Sequence, residues 1–410
     1  MSMFEQKLKK YAALAVEVGV NVQKGQTLVV RAPLFAAPLV RLVTERAYEM
    51  GAKNVHVDWN DEEVTRLKYN LAPDEAFLEY PEWLAKGYEQ LCEEGAAFLS
   101  ITGADPDLLK GVDPERVSNA NKTSGKAMDG FRSYIQADKV SWSIVANPSE
   151  GWAKKVFPDV EADEAIEKLW EAIFQATRIH EEDPVKAWKA HLALLDQKMS
   201  LLNEKHFHAL HYTGGGTDLT IELPETHLWI SGGSVNKDGH EFVANMPTEE
   251  VFTGAKKTGV NGVVKSTKPL NYGGTIIDNF TLTFKDGAVV EFEAEQGYET
   301  LKRLLETDEG SKFIGEVALV PHDSPISNTN ILFYNTLFDE NASNHLALGS
   351  AYAFSIEGGK EMKKEELEQN GLNTSITHVD FMMGSAEMNI DGVYKNGKKE
   401  AIFRDGNWAF

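Results

Sequence analysis

Near the C-terminus, His378 and Asp380 stand two residues apart in the run Thr377-His378-Val379-Asp380-Phe381. Because side chains alternate between faces along a β-strand, residues two apart project from the same face. An imidazole nitrogen beside a carboxylate oxygen is a ligand pair that suits a first-row divalent metal. An ordinary strand with a polar outer face could carry the same pair, so other ligands are needed to decide.

Glu316 and His345 are further residues of ligand type in the second half of the chain. Glu316 lies in the apolar run Ile314–Val320, which is typical of a strand, and a buried carboxylate there is costly unless it is paired or binds a metal. Taken alone, Glu316 could be a carboxylate on an exposed edge strand, and His345 could be a structural histidine. Each residue strengthens the case for a metal site without deciding it.

Glu249, Glu250 and Tyr352 complete the set of candidates. If the chain is extended at Glu249 and Glu250, their side chains face opposite ways, so at most one of them points inward. Both could also be ordinary surface acids. Tyr352 is of a type that usually lies in the core with its hydroxyl hydrogen-bonded.

The cysteine count limits how a metal can be held. Cys92 is the only cysteine, which excludes an intrachain disulfide and a thiolate cluster and leaves His, Asp and Glu as ligands. The sequence contains no H-E-x-x-H zinc motif and no G-x-S-x-G nucleophile motif. Gly214-Gly215-Gly216 resembles a phosphate loop only superficially and is better explained as a tight turn.

The overall charge excludes some classes of partner. With 63 acidic and 41 basic residues the net charge is −22, which disfavours binding to nucleic acid or an anionic membrane and is compatible with cationic substrates. No stretch reaches the apolar length of a membrane span, and Glu5, Lys7 and Glu17 interrupt any apolar signal region. We therefore expect a cytoplasmic protein.

The elements that must position these residues change in character along the chain. The length of 410 residues predicts two domains. Helical patterns (residues 2–20 and 38–50) alternate with strand patterns (26–30, 54–58, 96–101 and 139–145), and residues 162–204 are helical with a break at Pro184. This alternation predicts an N-terminal α/β domain, residues 1–204, with a mainly parallel sheet. Short alternating segments separated by glycines predict a β-rich (α+β) C-terminal catalytic domain, residues 205–410.

Several stretches in sequence order resemble one known family. They are Val22–Gln26, Gly216–Leu219, Pro247–Phe252, Asn344–Gly349 and His378–Gly384. Together they resemble the thermophilic-type metalloaminopeptidases, the family of aminopeptidase T, aminopeptidase S and PepS. The resemblance covers essentially the whole chain, with no departure at any proposed ligand.

The resemblance implies a site with two metal ions. Glu250, rather than Glu249, matches the first ligand, and Glu316 matches the carboxylate that bridges both ions. His345 and His378 match the imidazole ligands of one ion, and Asp380 matches the carboxylate on the other.

The resemblance also implies what the protein does. Enzymes of this family release N-terminal amino acids from peptides with a free N-terminus, use two divalent ions reported as cobalt, zinc or magnesium, and form homodimers. Tyr352 matches a tyrosine that the family keeps beside the metals.

The chemistry of the residues agrees with this assignment. Three carboxylates and two imidazoles exceed the needs of a tetrahedral zinc and suit two ions, which at about 3.5–4 Å apart can activate a hydroxide. The hydroxide would attack the scissile carbonyl, while one ion holds the α-amine of the substrate. We expect Tyr352 to donate a hydrogen bond to the oxyanion. Glu249 and Glu316 are both candidates for the proton shuttle.

Two other functions remain open at this point. A two-metal phosphoesterase would use a similar cluster, although the ligand stretches lack an evident Arg or Lys cluster to bind a phosphoryl group. A non-enzymatic binding protein could use the metals only for stability.

Overall fold

The structure is a computed structural model that describes residues 2–272 and 275–410. The chain forms two compact units. Unit 1 contains the chain up to His191 together with Gly233–Pro247, and unit 2 contains Leu192–Gly232 and Thr248–Phe410.

The helices and strands of the described residues are numbered in chain order. The α-helices are α1 (Met3–Leu14), α2 (Ala37–Glu49), α3 (Glu62–Leu71), α4 (Glu82–Glu93), α5 (Pro114–Ala127), α6 (Asp129–Gln136), α7 (Glu150–Val156), α8 (Ala162–Ala176), α9 (Pro184–Lys205), α10 (Tyr298–Leu305), α11 (Thr336–Asp339) and α12 (Lys364–Gln369). The first ten strands are β1 (Thr27–Pro33), β2 (Asn54–Asn60), β3 (Ala97–Thr102), β4 (Trp142–Ala146), β5 (Ala209–Gly214), β6 (Thr217–Glu222), β7 (Ile230–Ser231), β8 (Gly233–Val235), β9 (Glu241–Val243) and β10 (Val251–Gly254). The other strands are β11 (Val260–Lys265), β12 (Leu270–Tyr272), β13 (Thr275–Lys285), β14 (Ala288–Gln296), β15 (Ile314–Leu319), β16 (His345–Gly349), β17 (His378–Met382), β18 (Asn389–Val393), β19 (Lys399–Arg404) and β20 (Asn407–Trp408).

Unit 1 is built on a four-stranded parallel sheet with the order β2-β1-β3-β4. The central strand β1 carries Leu28, Val29 and Val30, all fully buried, as expected for a strand covered on both faces by helices. Tyr11 of α1 donates a hydrogen bond to the carbonyl of Ala146 at 3.1 Å, which ties the first helix to the end of β4. The predicted α/β region with a parallel sheet is confirmed.

The segment Gly233–Pro247 belongs to unit 1 because its backbone pairs with β4. The amide of Ile144 donates to the carbonyl of Ala244 at 2.8 Å, and the amide of Met246 donates to the carbonyl of Ile144 at 3.0 Å. Within this segment β8 and β9 form a short hairpin. The predicted domain limits, 1–204 and 205–410, stay a prediction, and the compact units differ from them in this segment and in changing at residue 192.

Unit 2 contains two mainly antiparallel sheets with a shared apolar core. One sheet has the order β17-β16-β15-β10-β7, and the other runs β12-β13-β11-β6-β5-β18-β19-β20 with β14 beside β13. Phe280 of β13 contacts Phe381 of β17, with ring centroids 5.5 Å apart. The β-rich character predicted for the second half of the chain is therefore confirmed.

Candidate metal centre

The register of the five-stranded sheet places all the predicted ligands on one face. Glu316 of β15 stands opposite Ala347 of β16, which stands opposite Asp380 of β17. Residues directly opposite each other share a face, so Glu316 and Asp380 project together. By the same pairing His345 lies opposite Ala318, and His378 lies opposite Gly349.

Glu250 reaches the same face from the other side of β15. Gly254 of β10 is paired with Glu316, and Phe252 is paired with Ala318. Glu250 precedes β10 by one residue and is two positions before Phe252, so in extended chain it shares the face of Phe252. Small residues (Gly254, Ala318, Ala347 and Gly349) occupy the positions between the ligands and leave room for them.

The opposite face of this sheet is apolar. Val251, Val317, Leu346, Leu348 and Phe381 belong to the buried core of unit 2. Successive residues of these strands face the apolar core and the ligand site in turn, and small residues fill most ligand-face positions. The sequences of the strands are therefore mostly apolar, with a few polar residues.

A β-bulge at Gly315 is needed to turn Glu316 toward the ligand face. The pairing of β15 with β16 shifts between Ile314 and Glu316. Because of this shift, the Ile314 side chain packs in the core while the Glu316 side chain lies on the ligand face. Without the extra residue, the period of two would put Ile314 and Glu316 on the same face. A Cβ atom on Gly315 would lie 2.4 Å from the carbonyl oxygen of Ser350, so the bulge also requires glycine.

The side chains form two groups that share Glu316. Ligand atoms of Glu250, Glu316 and His345 all lie within 4.8 Å of one another, and so do those of Glu316, His378 and Asp380. His345 Nε2 lies 3.2 Å from Glu250 Oε2 and 3.7 Å from Glu316 Oε1. His378 Nε2 lies 3.6 Å from Glu316 Oε2 and 3.4 Å from Asp380 Oδ1. We call Glu250 and His345 the enclosed group, and His378 and Asp380 the open group.

This arrangement fits a pair of divalent ions. The two oxygens of Glu316 face different groups, as a bridging carboxylate requires. Asp380 Oδ1 is buried, and the described residues give it no hydrogen bond, which is costly for a carboxylate oxygen unless a cation satisfies it. The donor set is carboxylate oxygen and imidazole nitrogen, suited to hard and intermediate divalent metals.

Backbone carbonyls orient both imidazoles. His345 Nδ1 lies 3.1 Å from the carbonyl oxygen of Ser343, and His378 Nδ1 lies 2.8 Å from that of Ser350. With Nδ1–H donating to the backbone, the lone pair of Nε2 points into the site, the usual arrangement for a metal-binding histidine.

The close packing of charged groups shifts their pKa values. Burial lowers the pKa of His378, but the adjacent Asp380 carboxylate, through its close contact and its negative charge, outweighs this and raises the pKa to about 10. Burial likewise opposes the protonated form of His345, but the neighbouring carboxylates of Glu250 and Glu316 raise its pKa well above the usual value. Burial is also the main cause that raises the pKa of Glu316. Perturbations of this kind are concentrated at functional sites.

Tyr352 lies beside the open group. Its ring centroid is 4.9 Å from that of His378 and 6.1 Å from that of Phe252. Burial of the hydroxyl, followed by the negative charges of Glu316 and Asp380, raises the pKa of Tyr352 above its usual value and keeps the hydroxyl a hydrogen-bond donor. The residue is 38 % exposed, so a substrate can reach it.

Two further acidic residues, Glu249 and Glu340, lie outside the two ligand groups. Glu249 belongs to neither ligand group, and its amide donates to Asn341 Oδ1 at 2.8 Å. Glu340 was not predicted, yet burial and the charges of Glu250 and Asp380 raise its pKa well above the usual value. In the sequence, the only indication that Glu340 lies near the ligands is its position five residues before His345.

Comparison with known proteins identifies the family of this chain. Residues 4–408 match the model of the family described as Thermophilic metalloprotease (M29). The chain belongs to this thermophilic metalloprotease family. The predicted family, and with it a hydrolase acting on peptide bonds, are confirmed.

Similar proteins are found over the full length of the chain. It is 63 % identical to aminopeptidase AmpS of Bacillus subtilis over 410 residues, covering 100 % of both chains. It is 57 % identical to aminopeptidase 2 of Geobacillus stearothermophilus, covering 100 % of this chain and 99 % of that protein. The solved structure of wild-type AmpT from Thermus thermophilus has a TM-score of 0.94 at 44 % identity and covers 99 % of this chain and 100 % of that chain.

One implication of the resemblance, the division of the ligands between the two ions, stays a prediction. It assigned His345 and His378 to the same ion, whereas the structure puts them in separate groups on either side of Glu316. The reason is the register, because His345 begins β16 while His378 pairs with Gly349 at the other end of that strand. The membership of the five residues in one cluster is unaffected.

Proposed function

We propose that this protein is a metal-dependent aminopeptidase that releases N-terminal amino acids from peptides by a two-metal mechanism. The observation that carries the proposal is Glu316, whose two oxygens face two separate pairs of ligands. The proposed ligands are Glu250, Glu316, His345, His378 and Asp380. The aminopeptidase names of the full-length relatives support the substrate class.

Bound divalent ions supply two things in such a site, acidified water at neutral pH and a Lewis acid for a carbonyl oxygen. The protein residues do the rest. Asp380 and Glu250 add negative charge that attracts the α-ammonium group of a peptide, which explains a requirement for an unblocked N-terminus. Tyr352 donates its hydroxyl hydrogen to the oxygen that becomes negative in the transition state.

Glu316 is a candidate for proton transfer as well as for metal binding. Its carboxylate lies between the two groups and its pKa is raised, mainly by burial, so it is able to hold and return a proton during turnover. Glu249 belongs to neither group, which makes it the weaker candidate for this role.

The ligand types restrict the choice of metal without fixing it. Three carboxylates and two imidazoles, with no sulfur, accept cobalt, zinc or magnesium, and we propose two such ions per chain. Measuring the metal content of the purified protein, and the activity recovered when each ion is added back after chelation, tests the identity and the number together.

We also propose a cytoplasmic homodimer that binds neither nucleic acid nor membranes. None of the described helices is both long enough and apolar enough to cross a membrane. The net charge of −22 opposes binding to nucleic acid. Light scattering coupled to size exclusion measures the assembly, and a mass of one chain would contradict the homodimer.

The deciding experiment uses three chromogenic substrates with and without a chelator. We expect metal-dependent release from a leucyl amide, and no release from the same amide after N-acetylation. Release only from nitrophenyl phosphate would instead indicate a phosphoesterase. No release from any of the three, by protein with its metals bound, would favour a binding protein.

A further inference from the structure

Unit 1 contains a cavity of about 460 Å³ at the carboxyl edge of its parallel sheet. A lining residue follows each of the four strands within three positions of the strand end: Phe35 after β1, Glu62 after β2, Asp105 after β3 and Asn147 after β4. Open α/β sheets bind their ligands at this edge. The volume is that of a site for a small molecule.

The walls of this cavity are mostly apolar. Helices α1 and α8 contribute side chains, and the region after β1 contributes others; these are Phe4, Leu8, Phe35, Pro38, Ile166 and Trp170. The rings of Phe4 and Trp170 meet edge to face, with centroids 5.7 Å apart. Such walls suit the hydrocarbon part of a ligand, and aromatic faces also attract a cation.

The charged residues of the cavity are all acidic. Glu62, Asp105 and Glu150 line it, and no Lys, Arg or His stands among the lining residues that the structure describes. The neighbouring Asp107 is paired with Lys155, with Nζ 3.1 Å from Oδ2. Neither Glu62 nor Asp105 has an ion pair within the described part of the chain.

Glu62 and Asp105 are held close together. Glu62 Oε1 accepts a hydrogen bond from the amide of Asp105 at 2.7 Å. Burial, and in addition the negative charge of Asp105, raise the pKa of Glu62. Acids in the first turn of α3 and α7 also stabilise those helices, but that role does not require two carboxylates to face one cavity.

Asn147 adds a neutral polar group to the cavity wall. It is only 6 % exposed and lines the cavity. Its Nδ2 donates to the carbonyl of Pro148 at 3.2 Å, and its Oδ1 is not among the fully buried atoms that lack a partner, so this oxygen is open to the cavity. A ligand in the cavity can therefore donate a hydrogen bond to this oxygen.

We propose that this cavity binds an organic cation, a primary ammonium or guanidinium group on an apolar body. The charged group lies at Glu62 and Asp105 and donates to Asn147 Oδ1, and the apolar body packs on Phe35 and Trp170. A phosphate or carboxylate ligand is disfavoured by the three acids. A bare divalent ion is disfavoured because no three ligand-type side chains converge here among the described residues, as they do around Glu316.

The test is calorimetric titration of the full-length protein with its metals bound, and the Glu316→Gln variant below reports any binding at the metal centre. The probes are 2-phenylethylamine, 2-phenylethanol and 3-phenylpropionate, which share an apolar body and differ in charge. We expect one site per chain for the amine, at least about tenfold weaker binding of the alcohol, and no binding of the acid. This comparison needs no variant and does not depend on peptidase activity.

Variants then locate the site. Glu62→Gln keeps an oxygen that accepts from the amide of Asp105, and Asp105→Asn keeps its acceptor for the amide of Asp107, so both are expected to fold. Each should weaken amine binding about tenfold or more, whereas Glu63→Gln, the same charge change on the exposed side of α3, should leave it unchanged. Glu316→Gln should also leave it unchanged.

Three results would overturn the proposal. These are equal affinity for the amine and the alcohol, full amine binding by the Glu62→Gln, Asp105→Asn double variant, or loss of binding in Glu316→Gln. The last result would place the amine at the metal centre instead. Failure of these tests leaves the proposed aminopeptidase activity untouched, because that activity is measured separately with the metals bound.

Discussion

The two ligand groups that share Glu316 differ in their access to solvent. In the enclosed group the side chain of His345 is 1 % exposed, whereas in the open group that of His378 is 23 % exposed. The carboxylates of the two groups are similar, with Glu250 at 11 % and Asp380 at 12 %. The difference therefore lies in the imidazoles and in what covers them.

The covering elements explain this difference. His345 begins the interior strand β16, which lies between β15 and β17, and the residues around it from Asn341 to Gly349 are buried. His378 begins the edge strand β17, and its outer side is covered by the half-exposed ring of Tyr352. We infer that the enclosed group holds its ion tightly, and that substrate approaches the open group.

The largest effect is expected from Glu316→Gln, because it removes the residue common to both groups. The amide offers one ligand oxygen instead of two, so the bridge is lost. We expect kcat/KM to fall by about 10³-fold or more, together with the loss of at least one ion per chain. Glu293→Gln, the same change on the exposed strand β14, is the control. Unchanged kcat/KM in Glu316→Gln would exclude the bridge.

The two histidine variants separate the groups directly. In His378→Ala we expect one ion per chain to remain, because the enclosed group is intact. In His345→Ala we expect weaker retention of both ions, since the buried site loses a ligand that no water can easily replace. Metal analysis after dialysis measures both. Equal losses in the two variants would mean that exposure does not control how tightly each group binds.

A smaller effect is expected from Tyr352→Phe, because the hydroxyl is proposed to act only in the transition state. We expect kcat to fall by about 10²-fold, with metal content unchanged. The matched control is Phe354→Leu, which alters the neighbouring aromatic ring without removing a donor. If Tyr352→Phe keeps full turnover, the tyrosine contributes packing beside the open group and no hydrogen bond.

Much of this arrangement could be predicted from the sequence, because it is encoded locally. The period of two along a strand predicts that His378 and Asp380 share one face. The apolar run around Glu316 left burial or an exposed edge as alternatives, and the structure shows Glu316 to be buried. Strand and helix positions in unit 1 also followed from local patterns. Where a pattern is continuous over five or more residues, the structure agrees with it.

Other features could not be predicted because they depend on residues far apart in the chain. The bulge at Gly315 appears only when β15 is aligned with β16. The separation of His345 from His378 depends on the register of β16 and β17. The assignment of Gly233–Pro247 to unit 1 follows from its pairing with β4, a strand some ninety residues earlier in the sequence.

The last prediction concerns His227 and the pH dependence of stability. His227 is far from the ligands in sequence, but the chain next to it is hydrogen-bonded to the segment that carries Tyr352, beside the open group. The amide of Leu228 donates to the carbonyl of Ser355 at 2.7 Å, and the amide of Ser355 donates to the carbonyl of Tyr352 at 3.1 Å. Burial lowers the pKa of His227 to about 4, and its Nε2 is buried with no partner among the described residues. The folded protein therefore holds this ring neutral.

The sign of the resulting pH dependence follows from proton binding. In the unfolded chain a histidine has a pKa of about 6.5, so between about pH 6.5 and 4 the unfolded state binds a proton that the folded state does not. The contribution of His227 is complete above about pH 6.5 and is lost as the pH falls toward 4, on the order of 3 kcal/mol in total. Denaturant unfolding of the protein and of His227→Gln across this range measures it, with His322→Gln as an exposed control. If the pH dependence is the same in all three, His227 is not its source, and the open side is no more sensitive to acid than the enclosed side.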